Sequence, residues 1–149
     1  MNIIKATPSD TPTVAPLFNQ YRVFYGQPDD PILAHDFIHA RLTLEESVIF
    51  FAINEQGMAV GFTQLYPMFS SVSAQRIWVL NDLFVGDSQR GKGTGNALLK
   101  AAKAHALATG VCGIALETSV SNCGAQKLYE SLGYEKDIEH FHYFLSLKT

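Results

Sequence analysis

The sequence is poor in several features that would direct its reading elsewhere. Only two of its 149 residues are cysteine, Cys112 and Cys123. That is too few for a disulfide framework or a paired Cys-x-x-Cys metal site, so both are expected as free thiols. Long apolar runs are missing: the longest aliphatic or aromatic stretch is Val48 to Ile53, far short of the roughly 18 to 20 residues that cross a bilayer. The opening Met1-Asn2-Ile3-Ile4-Lys5 lacks the basic-then-apolar build of a signal peptide, so a cytoplasmic protein with no membrane partner is expected. Charged residues are scarce at 17%, and the net charge is -3. Nucleic-acid binders are usually strongly basic, so no nucleic-acid partner is expected. Repeats, low-complexity tracts and charge runs are also absent, which leaves no linker and predicts one domain over residues 1–149.

What the chain does have is an interior. Hydrophobic residues make up 47%, with 10 Phe and 6 Tyr, enough to exclude disorder. Charge is slightly uneven: residues 1–75 hold three cations against seven anions, and residues 76–149 hold eight against seven. An acidic half suits a cationic ligand and a near-neutral half suits a phosphate, although plain solvated surface also accounts for so small a difference.

Periodicity supplies the elements. Asn2 to Thr7 reads as a strand, and Val14, Leu17, Phe18, Tyr21 and Tyr25 recur at helical spacing after a Pro/Ser/Asp/Thr start. A break at residues 26–31 precedes a second helix with Ile32, Phe37, Ile38 and Leu42 as apolar positions. Ser47 to Asn54 and Met58 to Met68 form a hairpin across Glu55-Gln56-Gly57, and Gln75 to Val85 is a third long strand. An alanine-rich helix runs from Gly93 to Thr109 and stops at Gly110. A strand over Cys112 to Thr118, a helix over Asn122 to Leu132 and one or two strands over Tyr134 to Leu147 complete the chain. The order β-α-α-β-β-β-α-β-α-β-β predicts an α/β fold, a mixed sheet with helices on both faces.

The most informative stretch is Leu80-Asn81-Asp82-Leu83-Phe84-Val85-Gly86-Asp87-Ser88-Gln89-Arg90-Gly91-Lys92-Gly93-Thr94-Gly95, where a strand passes through a glycine loop into a helix. Glycines let backbone N–H groups approach a ligand, and the helix N-terminus adds unpaired donors and about half a positive charge. This is an anion cradle, to which Arg90 and Lys92 can add charge-assisted contacts. It is not a Walker A loop, because Gly93 stands where a Mg²⁺-binding Ser or Thr belongs. The dinucleotide fingerprint fails too, since its third glycine would come one residue later than Gly95. A metal is not expected: His35-Asp36-Phe37-Ile38-His39 imitates a zinc-protease helix but lacks its Glu and a third ligand.

Arg90-Gly91-Lys92-Gly93-Thr94-Gly95 resembles the acetyl-CoA pyrophosphate loop of the GNAT N-acetyltransferase superfamily, and Asn122-x-x-Ala125-x-x-Leu128-Tyr129-x-x-x-Gly133-Tyr134 resembles its downstream motif. Together with the upstream elements, the likeness covers nearly the whole chain. It implies the GNAT fold, acetyl-CoA as cofactor, and acetylation of a small-molecule amine by direct attack in a ternary complex. Alternatives are a non-catalytic acetyl-CoA-binding module and a protein or peptide N-acetyltransferase. A homodimer is implied as well.

The same resemblance implies residue roles. Leu83, Phe84, Val85, the segment Arg90, Gly91, Lys92, Gly93, Thr94, Gly95 and Asn96, and also Asn122, would hold the cofactor. Tyr129 would be the acid for the departing thiolate; a phenol with a pKa near 10 stays protonated at neutral pH and suits the task. Read from residues alone, Tyr129 also belongs to an apolar stripe with Ala125, Leu128 and Leu132, and Asn122 also fits a helix N-cap. Leu80-Asn81-Asp82-Leu83-Phe84-Val85 is similar to the strand of diamine acetyltransferases, with Asn81 where those carry a Glu. Asn cannot take a proton, so Asp82 becomes the candidate base, with a purely structural carboxylate as its alternative. Tyr21, Tyr25, Gln27, Asp29, Asp30 and Asn81 are the implied acceptor side, where aromatic faces beside carboxylates can hold an ammonium group.

Overall fold

A computed structural model describes residues 1–148, and α2, α3 and α4 begin or end where the sequence supplies a cap. The chain divides into two units, Met1–Glu117 and Thr118–Thr149. The first holds β1 (Asn2–Lys5), α1 (Thr11–Phe24), α2 (Pro31–Thr43), β2 (Val48–Ile53), β3 (Ala59–Ser70), β4 (Gln75–Val85), α3 (Thr94–Thr109) and β5 (Ile114–Ala115); the second holds α4 (Cys123–Ser131). Asp30 starts α2 by accepting from the Leu33 N–H at 3.1 Å, and Asn122 starts α4 by accepting from the Ala125 N–H at 3.2 Å. Gly110, at φ 71°, closes α3 in the left-handed conformation that glycine adopts without strain.

The strands lie in sequence order, antiparallel from β1 to β4 and parallel between β4 and β5. Both faces of this mixed sheet are covered, which is why β2 is a continuous apolar run rather than an alternating one. On one face Val14, Leu17 and Phe18 of α1 and Ala34, Ile38 and Leu42 of α2 pack with Ile49, Phe51, Phe62 and Phe84. Burial stabilises by roughly 1.5 to 3 kcal/mol for each large side chain. On the other face α3 buries Leu98, Leu99, Ala102 and Ala106, and its His105 ring lies 5.6 Å from Phe50 and 5.3 Å from Trp78. Gly61 permits the close approach of β3, β4 and α3: a Cβ there would lie 2.8 Å from the Phe84 carbonyl oxygen and 3.3 Å from the Thr94 methyl.

Three sequence expectations differ from this structure. Tyr25 and Ile32, read as apolar-face positions, are 59% and 76% exposed; both sit at helix ends, beyond the reach of the core. The strand expected over Cys112 to Thr118 shrinks to Ile114–Ala115, preceded by bonds from the Cys112 N–H to Arg76 and from the Trp78 N–H to Gly113 at 3.1 Å each. Among the described residues, those expected as final strands over Tyr134 to Leu147 carry no ladder. A strand needs a neighbour for its backbone groups, and in the second unit the regular element is a helix.

Candidate active site

Strand β4 is the centre of the first unit's site. Its register against β3 pairs Gln64 with Asp82 but Leu65 with Leu80, so Asn81 is an extra, bulged residue. Direct cross-strand partners share a face, and a bulge shifts the alternation by one. Asp82 therefore lies with Gln64, Phe62 and Phe84 on the face covered by α1 and α2, and Leu80 lies with Leu65 on the face of α3. The sequence suggested no bulge, because Asn81 reads equally well as a solvent-facing strand residue.

Burial of Asp82 is nearly complete at 2% exposed. Loss of solvent pushes its carboxyl up from the ordinary range, and hydrogen bonds from Asn81, Gln64 and Tyr21 oppose the shift. Asn81 Nδ2 donates to Oδ1 at 2.8 Å and Gln64 Nε2 to Oδ2 at 2.5 Å. The one Tyr21 hydroxyl hydrogen is shared between the Asp82 carboxyl and the Asn81 carbonyl oxygen at 3.3 Å, so α1 is tied to the bulge itself. Sequence reasoning missed Gln64. Its signal was a lone carboxamide inside the apolar run of β3, where a buried polar group must find a partner.

Beyond the bulge, β4 opens its far edge. The Gly86 N–H donates to the Val60 carbonyl oxygen at 2.9 Å, and antiparallel alternation then directs Phe84 toward β3 and the amides of Leu83 and Val85 away from it. Strand β5 pairs only with Trp78 and Val79, so it stops short of these groups. The Val85 carbonyl oxygen accepts instead from Arg90 Nε at 3.1 Å. Arg90 also pairs through Nη1 with Asp87 at 3.1 Å.

The loop then turns through two left-handed glycines, Gly91 at φ 76° and Gly93 at φ 82°, with exposed Lys92 between them. A Cβ built on either glycine meets nothing within 4 Å, so the backbone faces open space. No side chain caps α3 at Gly93, and no acidic residue occupies its first turn. The first intrahelical bond is made by the Ala97 N–H, which leaves the amides of Thr94, Gly95 and Asn96 without helical partners. Thr94 is buried, and among the described residues neither its Oγ1 nor Asn96 Oδ1 has a hydrogen-bond partner. Open amides, the unengaged Thr94 hydroxyl and a first helical turn without a carboxylate fit a diphosphate.

A cleft of about 370 Å³ adjoins this loop, lined among others by Asn19, Phe24, Asp29, Phe84, Asp87 and Arg90. The structure brings Asp29 into it but not in isolation: Asn19 Nδ2 donates to Asp29 Oδ1 at 2.5 Å. Asp30 is engaged as the cap of α2, its N–H donating to Asn19 Oδ1 at 3.0 Å. Tyr21 packs 5.7 Å from Phe62 and 5.1 Å from Tyr25, and Gln27 is exposed. In the second unit, Tyr129 is buried on α4 with its ring 5.8 Å from Tyr134. Asn122 acts as the cap of that helix.

A bulged fourth strand leads through a left-handed glycine loop to a helix that no side chain caps, on a mixed sheet. Residues 14–134 match the acetyltransferase (GNAT) family, and the chain belongs to that family. It is an acetyltransferase. It is similar to the uncharacterized N-acetyltransferase YhfO of Bacillus subtilis strain 168, with 51% identity over 147 residues, 99% of this chain and 98% of that protein. A probable acetyltransferase of Haemophilus influenzae is 39% identical over 85 residues, covering 57% of this chain and 58% of that one. A crystal structure of a probable acetyltransferase superposes with a TM-score of 0.93 at 40% identity, over 100% of this chain and 99% of that chain.

Proposed function

We propose that this enzyme transfers an acetyl group from acetyl-CoA to the amine of a small cationic molecule by direct attack in a ternary complex. The observation that carries the reading is the loop from Gly91 to Asn96, whose open backbone amides suit the diphosphate of coenzyme A. When bound, acetyl-CoA supplies a thioester whose carbonyl carbon the amine nitrogen attacks, so that a C–N bond forms as the C–S bond breaks.

The chain's own residues must then hold one oxygen and handle the two protons that the ammonium nitrogen sheds, one going to Asp82 and the other, by way of Tyr129, to the thiolate. The outward amides of Leu83 and Val85 are the donors suited to the carbonyl oxygen, where fixed dipoles cost no reorganisation. Presenting a neutral alkyl amine at pH 7 costs about 4.6 kcal/mol against a pKa near 10.4. Asp82, with its carboxyl raised by burial, is the group suited to take that proton. Tyr129 is suited to hold at its hydroxyl the proton that the departing thiolate needs.

The cleft beside Asp29, with Phe24 and Phe84 in its wall and Asp87 paired to Arg90, supports a small ammonium-bearing acceptor by the Asp29 charge and ring contacts. The test is thiol release from acetyl-CoA against diamines, amino acids, aminoglycosides and peptides. A diamine or another small cationic amine should give the highest kcat/KM. A clear preference for peptides would overturn the acceptor class.

A further inference from the structure

Asp82 ends a buried chain of polar side chains that acyl transfer as described does not yet account for. Gln64 is 0% exposed, and both ends of its carboxamide are occupied: Ser47 Oγ donates to Oε1 at 2.7 Å, and Nε2 donates to Asp82 Oδ2 at 2.5 Å. A reversed amide would set its oxygen against the Asp82 carboxylate, acceptor against acceptor, so an ionised Asp82 fixes the amide as it stands. Asn81 Nδ2 holds the other carboxylate oxygen at 2.8 Å. The backbone is pinned as well, because Thr63 Oγ1 donates to the Asp82 carbonyl oxygen at 2.8 Å. The rotamer of Asp82 is thus specified by groups on β3 and β4 and by Ser47 just before β2, and the carboxylate is the form to which the amide as it stands donates.

We propose that Gln64, oriented by Ser47, is a positioning residue for acetyl transfer, holding Asp82 as a carboxylate beside the β4 bulge so that it can accept a proton from the incoming amine. This rests on the reading of Asp82 as the proton acceptor.

Of the other groups near Asp82, Tyr21 acts in the same direction and the rest do not. From α1, Tyr21 provides one hydroxyl donor. From β3, the Tyr66 phenol is pushed up to about 12, chiefly by burial and then by Asp82, and so it stays neutral. Arg41 and Glu46, which act on Tyr66, pair with each other at 3.0 Å. The charge of Asp82 therefore depends on its two carboxamide donors and the Tyr21 hydroxyl rather than on a cation.

The experiment is a carbon-13 carboxyl titration of the full chain from pH 3 to 8. The Asp82 signal is identified by its loss in Asp82→Asn, and kcat/KM profiles are measured with acetyl-CoA and the best amine of the panel. Gln64→Leu should raise the Asp82 midpoint by about one pH unit or more, since a donor to the charged form is lost. Ser47→Ala should raise it by less, in the same direction. The acid limb of the rate profile should move with the midpoint, and activity should recover above it. An unmoved midpoint overturns the role of Gln64 even where Asp82→Asn abolishes activity. A midpoint that moves while the limb stays still removes Asp82 as the base, and the catalytic role of Gln64 with it. If Gln64→Leu does not fold, Ser47→Ala decides by the same criterion.

Discussion

The guanidinium carbon of Arg90 lies 5.4 Å from the ring centroid of Phe24, so the last residue of α1 braces the loop that leads into α3. With Nε on Val85 and Nη1 on Asp87, Arg90 is held from three sides. Rigidity of this kind lowers the ordering cost of binding. Phe24→Ala removes an exposed cation–π contact of about 0.5 to 1 kcal/mol, so coenzyme A affinity should fall by about twofold to fivefold. Arg90→Ala loses the brace and a charge together, and its affinity should fall further. Titration calorimetry of both variants checks the order; equal wild-type affinities would show that the brace plays no part in binding.

Gly93→Ala separates fold from ligand. At φ 82° an alanine is strained by about 1 kcal/mol, yet its methyl meets no protein atom within 4 Å. Thermal unfolding should therefore shift by only a few degrees. Affinity for coenzyme A should drop by about tenfold or more, because the methyl occupies the space in front of the helix amides. A large loss of stability with unchanged affinity would contradict the cradle.

The glycine loop was legible in the sequence because its conformation depends on residues that only glycine replaces cheaply. The helices and the hairpin were legible because the apolar periodicity and the Asn122 cap agree, whereas Asp30, read with the acceptor side, caps α2. The bulge at Asn81 was not legible, since it is a property of register between β3 and β4 and no residue type announces it. Gln64 and Ser47 escaped for a related reason: they are polar residues beside apolar ones, and their meaning appears only once β3 places Gln64 opposite Asp82. Asn19 was read as neither core nor site. It turns out to be a buried amide that holds both aspartates of the α1–α2 connection.

Tyr129→Phe keeps the buried ring and removes only the hydroxyl. If Tyr129 is the acid, kcat on the best amine should fall by about 10²-fold or more, with little change in coenzyme A affinity. Steady-state rates beside binding isotherms check this. Wild-type turnover in the variant would remove Tyr129 from the mechanism.

The buried carboxyl of Asp82 also makes stability depend on pH. Its folded value lies above the ordinary 3.8, so the native state binds the proton more tightly than the unfolded chain. That contribution is present below pH 3.8 and is lost as pH rises through the folded value. Asp82→Asn cannot titrate there. Its stability relative to wild type should therefore increase with pH across this window and then level off, as urea unfolding at a series of pH values would show. A relative stability that falls with pH would mean that the hydrogen bonds outweigh burial.

The most direct test of the whole account is calorimetric titration of the purified chain with coenzyme A, wild type beside Gly93→Ala. The account expects a saturable one-site isotherm for the wild type that weakens by about tenfold or more in the variant. Absence of saturation in the wild type at millimolar coenzyme A would contradict it.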